Sequence, residues 1–89
     1  MDFGQALKAL KSGMRVSRSG WNGKSMWLLL VPGTEVPHTS KGSAYYKAGL
    51  NGRVTIDAHI DMFTASGSMQ PGWLASQQDM LAEDYYVIE

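Results

Sequence analysis

Val54-Thr55-Ile56-Asp57-Ala58-His59-Ile60-Asp61-Met62-Phe63 decides the fold class. Val54, Ile56, Ala58, Ile60 and Met62 alternate with Thr55, Asp57, His59, Asp61 and Phe63. A period of two sends one row of side chains toward a core and the other away from it, the pattern of a strand. Asn51-Gly52, just before it, is a hairpin signal. Tyr45–Leu50 is therefore expected to pair with Arg53–Asp57 and to shorten the long connection Thr34–Gly52. After it, Ala65-Ser66-Gly67-Ser68 makes a turn, and Met69–Leu74 reads as extended around Pro71-Gly72. Toward the N-terminus, Met26–Val31 reads as a buried strand that Pro32-Gly33 ends. Met14–Ser17 alternates as a short strand. Ser19-Gly20-Trp21-Asn22-Gly23 forms the turn between these two, with Asn22-Gly23 a second hairpin signal.

Two helices complete the pattern. Phe3, Ala6, Leu7 and Leu10 recur at helical spacing. Asp2 can cap that helix with Gln5 three residues on, and Gly13 fits its stop. Ser76, Gln77, Gln78 and Asp79 form another capping box, opening a short helix through Met80 and Leu81 to about Glu83. Tyr85–Ile88 ends the chain as a strand. The expectation is α+β: one small antiparallel sheet with two short helices packed on one face, residues 1–89 forming a single domain.

A chain of 89 residues buries only a little over ~60% of the surface that its unfolded form exposes, so its core is marginal alone. Cysteine is absent, which excludes disulfides, thiolate metal sites and cysteine nucleophiles. Two histidines, His38 and His59, are too few for a histidine-rich metal centre. Association between chains is left as the expected support. Eight basic residues balance eight acidic ones, which argues against a DNA or RNA binder. The longest apolar run, Met26–Val31, is too short to span a bilayer, and no signal peptide is visible. A cytoplasmic protein is expected. All eight basic residues lie at or before position 53 with only Asp2 and Glu35 opposing them, and the remaining six acids follow. Pairing between the two parts, or a local basic patch of Arg15, Arg18 and Lys24, would each account for this split, and the sequence favours pairing.

No nucleophile elbow, phosphate loop or metalloprotease motif is present. His59 and Asp61, two apart on one strand face, have the spacing of a base and its orienting carboxylate, or of a polar pair at a surface. Asp57 extends them to a three-residue face for a metal, on weak spacing. Trp21 on a glycine-flanked turn is either a cap over the core or a platform for a nucleobase. Beside it, Asn22 offers a base edge both a donor and an acceptor, while Lys24 and the Gly23 amide can receive phosphate. Trp73 precedes the helix start at Ser76, where caps and ligand contacts compete. Asp79 would repel a phosphate there, so a hydroxyl or base contact is expected. Trp27 reads as core. Tyr45 and Tyr46 can close over a ligand or pack on another subunit.

The order Asp2-Phe3-Gly4-Gln5-Ala6-Leu7, Gly20-Trp21-Asn22-Gly23-Lys24, Val31-Pro32-Gly33, His59-Ile60-Asp61-Met62, Trp73-Leu74-Ala75-Ser76-Gln77 and Asp79-Met80-Leu81-Ala82-Glu83-Asp84 closely resembles the second of the Thoeris anti-defense families, small phage and prophage proteins. Thr34–Ala58 matches least, and Gly72 adds a residue to a turn. The resemblance implies a sponge rather than an enzyme. Such a protein is a homo-oligomer, typically a tetramer, in the cytoplasm of the infected host. It sequesters glycocyclic ADP-ribose, a cyclic nucleotide immune signal, and in some members also cyclic dinucleotides at a separate site. No cofactor is implied. The ligand-contacting residues expected here are Arg18, Trp21, Asn22, Gly23, Lys24, His59, Asp61, Trp73, Ser76, Gln77 and Asp79. The competing expectations are a small hydrolase or lyase with His59 and Asp61 as its acid–base pair, and an interaction module that binds another protein through the Thr34–Gly52 connection.

Overall fold

The structure is a computed structural model and describes residues 1–21 and 25–89. In chain order its elements are α1 (Phe3–Lys11), β1 (Arg15–Arg18), β2 (Trp27–Val31), β3 (Thr34–Val36), α2 (Ala44–Lys47), β4 (Val54–Ile56), β5 (His59–Phe63), β6 (Met69–Gln70), α3 (Gln77–Leu81) and β7 (Tyr85–Ile88). Five strands form one antiparallel sheet in the order β6-β5-β2-β1-β7, and β3 pairs with β4 separately. This is the expected α+β class.

Local sequence sets the helix ends. The Gln5 N–H donates to Asp2 Oδ1 and the Asp2 N–H donates to Gln5 Oε1, both at 2.8 Å, closing the capping box of α1. At its other end the Gly13 N–H bonds the Leu10 carbonyl and the Met14 N–H reaches back to the Ala9 carbonyl. That closure places residue 13 at a φ of 91°, a conformation suited to glycine. One face of α1 supplies Ala6 and Leu10 to the core, which Val16, Leu28, Met62 and Tyr85 complete from the sheet. Register then assigns the faces. Val16 opposes both Leu28 and Val87, and Leu28 opposes Met62, so these residues share the helix-covered side. Arg15, Ser17, Trp27, Leu29, Val31, His59, Asp61, Phe63, Tyr86 and Ile88 alternate with them onto the other side.

The alternating stretch at 54–63 is two strands rather than one. It breaks at Asp57-Ala58, so β4 joins the small sheet and β5 the large one. The Asn51-Gly52 expectation also fails. Ser43 caps a third helix, α2, over residues assigned to a strand, and the partner of β4 is β3. Local capping chemistry prevailed over hairpin propensity because nothing nearby offers Tyr45–Leu50 a ladder. Met26–Val31 is less buried than its apolar run suggests, since only Leu28 is fully enclosed. Trp27 lies on the face away from the helices, not in the core. The last helix ends at Leu81, short of Glu83.

Residues 32–58 contain no buried residue and form an arm. The chain extends 44 × 26 × 26 Å with a radius of gyration of 15.6 Å. A compact domain of this length has a radius of gyration near 12 Å.

So few enclosed apolar side chains make each one matter. Leu28→Ala is expected to lower stability by about 2–5 kcal/mol. A thermal melt shows this as a fall of about 8 °C or more, at roughly 4–8 °C per kcal/mol. A loss below ~1 kcal/mol would place the core elsewhere.

Candidate functional site

Arg18, at the end of β1, is where both halves of the chain meet. Its Nη1 donates to Asp79 Oδ1 at 2.7 Å and its Nε to Asp84 Oδ1 at 2.8 Å. The guanidinium also lies over Tyr85 and Trp21, 5.8 and 6.0 Å from the ring centroids. Asp84 Oδ2 accepts the Gly20 N–H at 2.7 Å. A Cβ on residue 20 would lie 2.7 Å from that same oxygen, so glycine permits the close approach. The favoured pairing of basic and acidic parts is thus realised at Arg18, and the guanidinium is committed to two carboxylates.

Asp79 is buried in α3 and holds more partners than any neighbour. Oδ1 accepts from Arg18 and, at 3.3 Å, from the Trp21 indole N–H. Oδ2 accepts the Ser76 N–H at 3.1 Å and the Ser76 hydroxyl at 2.9 Å. Its carbonyl accepts the Tyr85 hydroxyl at 2.7 Å. Burial pushes the Asp79 carboxyl up, but the hydrogen bonds from Ser76, Arg18 and Trp21 outweigh it and hold the group below its ordinary value. The Arg18 hydrogen bond lowers Asp84 in the same direction. Burial, followed by the Asp79 charge, pushes the Tyr85 phenol up to about 12.

An aromatic shell closes this end. Trp21 meets Trp73 edge-on at 6.3 Å and Tyr85 at 6.5 Å, while Phe3 lies 6.4 Å from Trp73 and 5.9 Å from Tyr85. Arg18, Trp21, Trp73, Ser76 and Asp79 are therefore brought together, with Trp21 and Trp73 packed on the core cluster. Gln77 is exposed in the first turn of α3. Asn22, Gly23 and Lys24 lie outside the described residues.

His59 and Asp61 are together, but on the opposite side of the sheet. His59 Nδ1 is 2.6 Å from Asp61 Oδ1, which also accepts the Gly72 N–H at 3.2 Å. The carboxylate orients the imidazole through Nδ1, and Nε2 is the other ring nitrogen. Asp57 sits in the break before β5, so the three acid–histidine positions do not form one strand face. Among the described residues no group of three potential ligands could hold a metal ion.

Sequence reasoning left out Asp84 and Tyr85, although the opposite-charge split hinted at a carboxylate partner for Arg18. It also left out the second face's aromatic pair. There Trp27 stacks on Phe63 at 4.9 Å and 12°, and Arg15 lies 5.4 Å above the Trp27 ring. Arg15 and Arg18, which the basic-patch alternative would join, thus belong to opposite faces.

The sequence matches the family described as Thoeris anti-defense 2-like domain over residues 1–88. It is also similar to Thoeris anti-defense 2 of Bacillus phage SP01. The two are 35% identical in an alignment spanning 99% of this chain and 94% of that protein. Among the described residues no helix is long and apolar enough to cross a membrane.

The Asp79 network makes three outcomes measurable. Both carboxyls titrate below their ordinary range when folded, so their stabilisation is present above about pH 4 and lost as pH falls through the lowered values. Thermal melts from pH 7 to pH 3 should show Tm falling below about pH 4. Arg18→Ala should cost about 3 kcal/mol at pH 7, because a buried carboxylate loses its cation. Its acid-dependent loss should be shallower, and an unchanged pH profile would refute the pairing. Trp21→Ala should lower stability by roughly 3 kcal/mol. If the melt is unmoved, Trp21 has no structural role.

Proposed function

The chain belongs to the Thoeris anti-defense 2-like family, and on that premise we propose that its anti-defense role is carried out by binding: it sequesters a cyclic nucleotide immune signal and leaves it chemically intact. The anchored aromatic turn is the observation that carries this reading. Gly20 is tied to Asp84, the Trp21 indole to Asp79, and the Trp21 N–H to the Arg18 carbonyl. The Trp21 ring is therefore fixed before a ligand arrives, so little of its side-chain freedom remains to be lost on binding. A base can stack on aromatic surface there for roughly 1–3 kcal/mol. Asn22, Gly23 and Lys24, next in sequence, supply the chemistry for a base edge and a phosphate.

Glycocyclic ADP-ribose is the signal we assign to this turn, with cyclic dinucleotides as a further ligand class. The pyrophosphate of the first carries about two negative charges, which need local partners in a chain of zero net charge. Arg18 is spent on carboxylates, so Lys24 and backbone amides take that role. Ser76, Gln77 and Asp79 flank the turn, with Asp79 acting through the indole that it holds. His59 Nε2 is a hydrogen-bond partner for a ribose hydroxyl or a base edge.

We further assign a homo-oligomer, a tetramer by family resemblance, acting in the host cytoplasm. Among the described residues six buried apolar side chains form the core, a small one for a chain of 89, and no helix covers the Trp27–Phe63 face of the sheet. Burial between subunits would add the missing apolar contact.

The second reading, a hydrolase or lyase, is favoured by one observation: the 2.6 Å His59–Asp61 contact has the form of an oriented base. One experiment separates the two. Protein is incubated with glycocyclic ADP-ribose, freed of unbound nucleotide, denatured, and the released nucleotide analysed by mass spectrometry. Intact nucleotide in stoichiometric amount is expected. A cleaved or isomerised product that disappears in His59→Ala would replace the sponge with the enzyme.

A further inference from the structure

The arm at 32–58 has a shape of its own but no core. Glu35 and Arg53 tie its two strands at 2.7 Å. The Thr39 hydroxyl donates to the Leu50 carbonyl at 2.7 Å, the Leu50 N–H bonds the Tyr45 carbonyl at 2.9 Å, and Ser43 caps α2. This closed tip holds Tyr45 and Leu50 outward, 41% and 52% exposed. A two-stranded hairpin with no packed face is marginal in water. Exposed apolar groups on an ordered projection mark an interaction surface.

Charge identifies the partner. Lys41, Lys47 and Arg53 stand against Glu35 and, at the base, Asp57, so the arm carries +1 and the rest of the chain −1. With Arg53 paired to Glu35, Lys41 and Lys47 are the cations without a carboxylate among the described residues of the arm. The complementary surface lies around α3 of the same sequence. Leu74 is 90% exposed before the helix, and Leu81 is 76% and Met80 39% exposed at its end. Glu83 follows, exposed and without a cation partner among the described residues. The body thus presents apolar and acidic groups where the arm presents apolar and basic ones. The arm is not packed on its own sheet.

We propose that the arm of one copy docks on the α3 surface of a second copy, with Tyr45 and Leu50 against Leu74 and Leu81, and Lys41 and Lys47 toward Glu83. Exchange of arms between two copies closes the contact symmetrically. The proposal rests on the assembly reading above and names the element that makes it.

Charge reversal tests it. Light scattering and sedimentation are run on wild type, on Lys41→Glu/Lys47→Glu, on Glu83→Lys and on the combination of all three, with circular dichroism confirming folding. Either set of reversals alone should weaken association by roughly tenfold or more, and the combination should recover most of it. Zero-length cross-linking in a mixture of ¹⁴N- and ¹⁵N-labelled wild type should join Lys47 to Glu83 between chains. A wild-type mass of 9.8 kDa overturns the assembly reading itself. A wild-type oligomer whose mass and stability none of the reversals changes overturns arm docking alone. So do variants that keep the assembly but lose nucleotide binding, which assigns the arm to the ligand.

Discussion

A carboxylate buried among aromatic rings governs this structure. Asp79 has left water, and an unmatched buried charge costs several kcal/mol, so its surroundings must supply donors. Arg18 from β1, the Trp21 indole from the following turn and Ser76 from the helix cap all converge on it. Each of these donors comes from a different element, so the carboxylate fixes their relative placement as well as its own ionisation. The Tyr85 hydroxyl on the Asp79 carbonyl extends the same constraint to β7, the edge strand. Breaking the cluster would therefore loosen the turn after β1, the α3 cap and the last strand together.

How legible this was in the sequence depended on the range of the interaction. Asp2/Gln5 and Ser76/Asp79 were readable as capping boxes because both partners sit three residues apart and need no tertiary context. The strands β1, β2 and β7 were readable from apolar patterning. The arm was not, because Asn51-Gly52 is a hairpin signal only where strands are available to pair. At 45–50 Ser43 offered a helix cap instead, and the true pairing of β3 with β4 spans a loop of seventeen residues. The break at Asp57-Ala58 was hidden because alternation continues unbroken across it.

The candidate site shows the same division. Trp21 was poised between core cap and ligand platform, and the structure gives it a structural role whose rigidity would also serve a ligand. Asp79 was read as a cap, and it is one, yet its second role as acceptor for Arg18 required knowing that β1 and α3 are neighbours. The pairing of the basic and acidic parts was a sound reading of composition that could not name its residues. Trp27 was assigned to the core from its apolar neighbours, but strand alternation with Leu28 buried leaves it on the other face.

That other face sets a geometric limit on any ligand. Trp21 belongs to the helix-covered side and the His59–Asp61 pair to the open side, with the sheet between them. The two groups are joined through residues 72 and 73: Asp61 Oδ1 accepts the Gly72 N–H, and Trp73 meets Trp21 edge-on at 6.3 Å. If both groups serve a single ligand, it has to pass around that link or meet the two groups from different chains. If they serve two, each face holds its own. In either case the charge supply is asymmetric: Arg15 stands over Trp27 on the open side, whereas Arg18 on the covered side is already neutralised by Asp79 and Asp84. The Arg18 charge is thus matched within the chain before any anionic group arrives, and the two carboxylates at that guanidinium disfavour an anion beside it.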